Sequence, residues 1–208
     1  VPQAATAKTG ATPAALSALV PVVDPVVPTQ GGPRVQVQTD VLRVDIDVQG
    51  AALSRVELVG HHVAPDWTAS GLLGMVMGKR QDAGANVVLQ EVSAHRTYLA
   101  QSGLLGAPEG QSFPTHRTQW KALEGPRTLE LGRDALTVRF AAESGAVRVI
   151  KSYTFHRGRH DVEVTHEVTN LTDAPLSPAL YLQLMRDGNK PEGESSLYYV
   201  YTGPAVYS

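Results

Sequence analysis

Between residues 34 and 48 apolar and polar side chains exchange places at almost every step. Val35, Val37 and Thr39 put apolar or β-branched groups on odd numbers, whereas Leu42, Val44, Ile46 and Val48 put them on even numbers, with Arg43, Asp45 and Asp47 between. Successive side chains of a strand point to opposite faces, so this period-two pattern describes β-strands with one wet face. An unbroken strand cannot change faces, and the parity switch near Val41 therefore predicts a bulge or kink. Gln49-Gly50 supplies a turn, and Ala52–Val59 reads as the returning strand.

The same period returns in the second half of the chain. Leu136, Val138 and Phe140 alternate; Val147, Val149, Tyr153 and Phe155 follow in one parity, then Val162, Val164, His166 and Val168 in the other. Gly145 and the stretch from Arg157 to His160 mark turns between three successive strands, as in an antiparallel meander. Asn170–Pro178 reads as a turn, Ala179–Arg186 as a strand, Asp187–Glu194 as a polar loop and Leu197–Tyr201 as strand-like. In the middle, Val87–Val92 looks like a strand, and residues 103–127, rich in Gly, Pro and Thr, read as a long loop. Leu72, Leu73, Val76 and Met77 would share one face of a helix that Gly71, Gly74 and Gly78 keep short. The fold class is mainly β, a sandwich or part of one.

Residues 1–33 break this pattern altogether. Prolines at 2, 13, 21, 25, 28 and 33 remove backbone donors and push the preceding residues into extended conformations. The segment reads as a low-complexity Ala/Pro/Val linker ahead of a β domain at 34–208. No stretch approaches the roughly 20 apolar residues that cross a bilayer. A membrane anchor, if one belongs to this protein, is expected outside the 208 residues.

Composition removes several functions. A formal charge of −2 leaves no basic surplus to neutralise phosphates, which argues against nucleic acid as a partner. Without cysteine there is no disulfide scaffold, thiolate metal site or thiol nucleophile. His61-His62 would point to opposite faces of a strand, so they cannot share one ion without a turn, and no metal site is expected. His95, His116, His160 and His166 with Glu91, Glu163 and Glu167 could supply an acid–base pair in principle. His166, on the apolar parity, reads as a satisfied core residue. No nucleophile triad or phosphate loop appears, so neither a catalytic residue nor a cofactor is expected.

Two groups remain as surface candidates. His156-Arg157-Gly158-Arg159-His160 forms a compact basic turn that is either solvated or touches acidic headgroups or an acidic partner. Tyr198, Tyr199, Tyr201 and Tyr207 suit an interface or the end of a packed strand. The possible docking surface is therefore Arg157, Arg159, His160, Tyr198, Tyr199 and Tyr201.

Four segments, in order, resemble one family. They are the alternating run Val35–Gly50 with its Thr39-Asp40, the segment Tyr98-Leu-Ala-Gln-Ser-Gly-Leu-Leu-Gly106, the hairpin Lys151-Ser-Tyr-Thr-Phe-His-Arg-Gly-Arg-His-Asp-Val-Glu-Val164 with Val168-Thr-Asn170, and Tyr201-Thr-Gly-Pro-Ala-Val-Tyr207. Together they are similar to the periplasmic domain of the YidC membrane-protein insertase family over residues 34–208. Gly50-Ala51 departs from the two glycines common there.

The resemblance implies a twisted β-sandwich like that of galactose mutarotases, beside the bacterial inner membrane and tethered to an anchor. It implies a non-catalytic part of an insertase and chaperone, with Sec translocon accessory subunits and nascent membrane proteins as partners. By position, Lys151–Ser208 would be the matching surface. The family domain continues past Tyr207, so an open edge or exposed core face is expected here. The alternative, from fold analogy, is a carbohydrate-binding or mutarotase-like domain, for which only Trp67 and Trp120 could stack on sugars.

Overall fold

Each alternating segment can bury its apolar face only against a second such face, and the chain solves this with two antiparallel sheets. The computed structural model describes residues 32–63, 84–93 and 96–189, together with Val76. One sheet runs in the order β1 (Arg34–Gln38), β2 (Leu42–Asp47), β3 (Ala52–His62), β5 (Tyr98–Leu105) and β10 (Ala179–Arg186), with β4 (Asn86–Glu91) also paired to β3. The other holds β6 (Lys121–Ala122), β7 (Ala135–Ser144), β8 (Val147–His156) and β9 (Val162–Asn170). The mainly β sandwich expected from the alternation is what forms.

The parity switch near Val41 is a reversal of direction and not the bulge or kink expected. Thr39 N–H donates to Leu42 O (2.8 Å), and Thr39 Oγ1 accepts the N–H groups of Val41 (3.2 Å) and Leu42 (2.9 Å). The strands on either side then pair with Val37 opposite Val44, which brings odd and even positions to the same core face. A tight turn resets parity as effectively as an inserted residue, because the strand leaves in the opposite direction. An irregularity does occur four residues on, where the β2–β3 register shifts between Asp45 and Ile46.

One boundary moves and one strand is new. β3 runs to His62, beyond the expected end at Val59, and β5, which the alternation did not announce, takes Gly103–Leu105 from the expected loop. Gly103 lies opposite Tyr181 of β10 in the ladder, and an added Cβ there would strike the Tyr181 ring and the backbone of Thr115. The three-strand meander β7–β8–β9 and the strand Ala179–Arg186 form as read. The expected short helix around Leu72–Met77, Val76 apart, and the expected strand Leu197–Tyr201 lie outside the described residues.

Leu42, Val44, Ile46 and Leu53 from the first sheet meet Leu136, Phe140, Val147, Val149 and Phe155 from the second. Burial of side chains of this size contributes about 1.5–3 kcal/mol each. Phe140 and Tyr153 meet edge to face, with ring centres 6.1 Å apart.

The packing stops short at one side. Val164 and Val168 on β9 are directly opposite Tyr153 and Val149, which are core residues, so they face the core side as well. Leu180 and Leu182 on β10 are opposite Leu104 and Ser102, whose face also looks toward the other sheet. Yet Val164 and Val168 are 41% and 38% exposed, and Leu180, Leu182 and Leu184 are 58%, 74% and 67% exposed. These two rows leave apolar side chains on the inner side of the described strands exposed.

Candidate functional site

The basic turn between β8 and β9 is built around Gly158, whose φ of +69° closes the reversal. Its N–H donates to Asp40 Oδ2 (2.9 Å), which ties the turn to the β1–β2 turn. Arg157 is half-buried and donates to the carbonyls of Arg133 (2.9 Å) and Glu130 (2.6 Å). Arg159 grips Asp161 with two hydrogen bonds (2.8 and 2.7 Å), which hold that carboxyl below its usual range. His160 stands edge-on to His61 at 5.6 Å, and His156 Nε2 is 3.9 Å from Glu163.

Arg157, Arg159 and His160 are therefore brought together at one end of the sandwich, with His61 added from β3. The patch is less basic than its sequence suggests, because Arg159 spends its charge on Asp161 and Arg157 spends its donors on a loop. That loop includes Leu131, which is 96% exposed, and its residues Glu130 and Arg133 help to line a shallow cleft of about 420 Å³. Tyr198, Tyr199 and Tyr201, the other half of the expected surface, lie outside the described residues, as do Tyr207, His95 and Trp67.

A second cluster occupies the seam between the sheets. Lys151 is 1% exposed and donates from Nζ to the carbonyls of Ala51 (2.9 Å) and Gly50 (3.3 Å). Tyr153, two residues on along β8, donates its hydroxyl to Ala51 O, and the Lys151 Nζ is 5.2 Å from its ring centre. Gly50 (φ +73°) and Ala51 (φ +43°) adopt left-handed conformations that turn these carbonyls toward β8. A Cβ at Gly50 would run into the backbone of His116. Opposite Lys151 on β9 stands His166, whose Nε2 is 2.9 Å from Ser102 Oγ on β5 of the facing sheet.

Burial sets the electrostatics of this seam. It pushes the Lys151 ammonium down to about 7 and raises the Tyr153 hydroxyl. It also pushes His166 down to about 4, with the nearby Lys151 adding to the shift. His116 is lowered by burial first, and then by Arg117 and Lys151; its Nδ1 meets the Tyr181 hydroxyl.

Neither cluster assembles an active site from the expected residues. Ser102 with His166 is a serine–histidine contact that sequence spacing did not suggest, but Ser102 is buried and His166 receives no carboxylate. Glu163 and Glu167 occupy the odd positions of β9 and so point away from His166. Glu91 is engaged by Arg55 (3.2 Å), within a network in which Glu57 accepts from Asn86, Arg43 and Arg55. The hydrogen bond from Asn86 leads the causes that lower the Glu57 carboxyl. Among the described residues no group of three His, Asp or Glu is placed to hold a metal ion. Nor is any helix among them long and apolar enough to cross a membrane.

Comparison with known proteins points the same way as the four segments. A family model described as the YidC periplasmic domain matches residues 34–208. The chain is similar to the membrane protein insertase YidC of Bordetella petrii, at 46% identity over 175 residues, covering 84% of this chain and 28% of that protein. It is also similar to the protein of that name from Cupriavidus metallidurans, at 40% identity over 207 residues, 100% of this chain and 33% of the relative. The protein of that name from a Janthinobacterium species is 38% identical over 187 residues, 90% of this chain and 29% of the relative. The chain thus spans about a third or less of the length of these relatives.

Proposed function

The chain belongs to the YidC periplasmic domain family, and on that premise we propose that it is a non-catalytic docking module of an inner-membrane protein insertase. Residues 1–33 serve as the arm between a membrane anchor and the domain at 34–208. The module assists insertion and folding of membrane proteins by contact with Sec translocon accessory subunits and with nascent chains. It carries no reacting group and needs no cofactor.

The observation that carries this reading is the use made of the interior polar groups. Lys151, Tyr153, Ser102 and His166, the side chains best suited to chemistry, are committed to bonds that join one sheet to the other. What the described residues offer outward is a scaffolded turn with Arg159 and His160 exposed; on the sequence reading alone, Tyr198, Tyr199 and Tyr201 are proposed as part of the same docking surface. The sugar-binding alternative gains no support from Trp120, which is buried and donates its indole N–H to Thr115 O (3.3 Å).

Photo-crosslinking in the full-length parent protein tests the reading. A benzophenone side chain placed at Arg159, His160 or Tyr199 should capture a translocon accessory subunit in native membranes. Absence of capture at all three positions, in a parent that still inserts its substrates, would remove the docking role.

A further inference from the structure

We infer that Lys151 and His166 form an acid-labile seam, which holds β9 and the edge of the sandwich closed most firmly in alkaline medium and loosens them stepwise on acidification, first through the lysine and then through the histidine. The two side chains are neighbours in register, where, among the described residues, β9 reaches the facing sheet through a hydrogen bond between side chains.

Among the described residues, the partners that the seam's hydrogen bonds reach are neutral or basic. The turn before β3 presents two carbonyl oxygens, β8 presents the Tyr153 hydroxyl, and β5 presents Ser102. The loop ahead of β6 brings His116, itself buried, against the same turn, with Arg117 lowering its basicity; β10 contributes Tyr181. The carboxylates on β9, Glu163 and Glu167, face the other way. No carboxylate is among the groups that shift Lys151, His166 or His116.

A buried base with no counter-charge tolerates its neutral form and resists its charged one. His166 takes up a proton at about 4 in the fold, against 6.5 for an ordinary histidine. The folded state therefore loses stability as pH falls from about 6.5 toward 4, because the unfolded chain binds the proton first. Lys151 does the same higher up: stability is greatest above its ordinary 10.5 and is lost as pH falls to about 7. Below that both states carry the lysine charge, and His166 takes over. Charging the pair also sets two cations side by side on adjacent strands. The region that yields first is β9, whose core-facing valines are already partly uncovered.

The test is urea unfolding of the 208-residue chain across the range from about pH 9 to pH 5, beside H166Q, K151M and K151Q. In the unmodified chain the unfolding constant should rise roughly fiftyfold from pH 7 to pH 5, and by a similar factor from pH 9 to pH 7. H166Q, whose amide can still meet Ser102, should flatten the acid arm; K151M should flatten the alkaline arm. Should K151M fail to fold, K151Q, which keeps a donor for the Ala51 carbonyl, gives the same reading. Amide exchange, corrected for its intrinsic pH dependence, should accelerate on acidification more in β9 than in β2. Variants whose pH slopes match the unmodified chain, or exchange that rises equally in both strands, would overturn the inference.

Discussion

β8 and β9 are adjacent, fully paired and written in the same alternating code, yet they meet different fates. The core row of β8, from Val147 and Val149 through Tyr153 to Phe155, is buried; the matching row of β9, Val162, Val164, His166 and Val168, is half-open throughout. The hydrogen-bond ladder is the same for both, with nine residue pairs in register. What differs is the layer above. β8 lies beneath the β2–β3 turn and the core of the facing sheet, whereas among the described residues β9 meets Ser102 and, at Val162, the margin of the core. Alternation decides which way a side chain points; burial is decided by whether another element arrives on that side.

Substitutions along the two rows put the comparison at risk. Phe155→Ala removes a fully buried ring and should cost about 3–5 kcal/mol by denaturant unfolding. Leu182→Ala on the open face should cost under about 0.5 kcal/mol by the same measurement, and equal costs would end the distinction. Gly50→Ala comes next. It forces a Cβ onto the His116 backbone at a left-handed φ, and a loss of about 2 kcal/mol is expected.

The paired arginines of one turn sharpen the point at smaller scale. Arg157→Ala strips two backbone carbonyls of their donor and should lower stability by about 1 kcal/mol. Arg159→Ala breaks only an exposed ion pair and should leave the unfolding midpoint unchanged. Smallest in stability terms is the double substitution Leu182→Asp with Leu184→Asp. It should leave unfolding nearly untouched while reducing concentration-dependent self-association in sedimentation, since two charges replace exposed leucines on an edge strand.

The fold was largely legible because its strands advertise themselves. The meander was readable from Leu136, Val147 and Val162 onward, with Gly145 and Gly158 at the reversals. The first hairpin was readable as strands but not as a hairpin, because a parity switch has two causes and Thr39-Asp40 carries no glycine to betray a turn. β5 was not read as a strand at all: Ala100, Gly103 and the run into the Gly/Pro-rich loop mask its position between two partners. The candidate sites were less legible still. His166 was read as core-facing from its parity. Lys151, on the same parity rule in β8, went unread because lysine is seldom buried. Its acceptors, Gly50 O and Ala51 O, lie a hundred residues earlier in the chain.

By itself the sequence determined the strands, their inward faces and the absence of thiol chemistry, because side-chain period and residue type are local properties. Only the tertiary structure decided which inward faces were covered, and that Lys151 and His166 would share one seam. Those outcomes depend on which strand arrives from the far end of the chain, and no local pattern records an arrival.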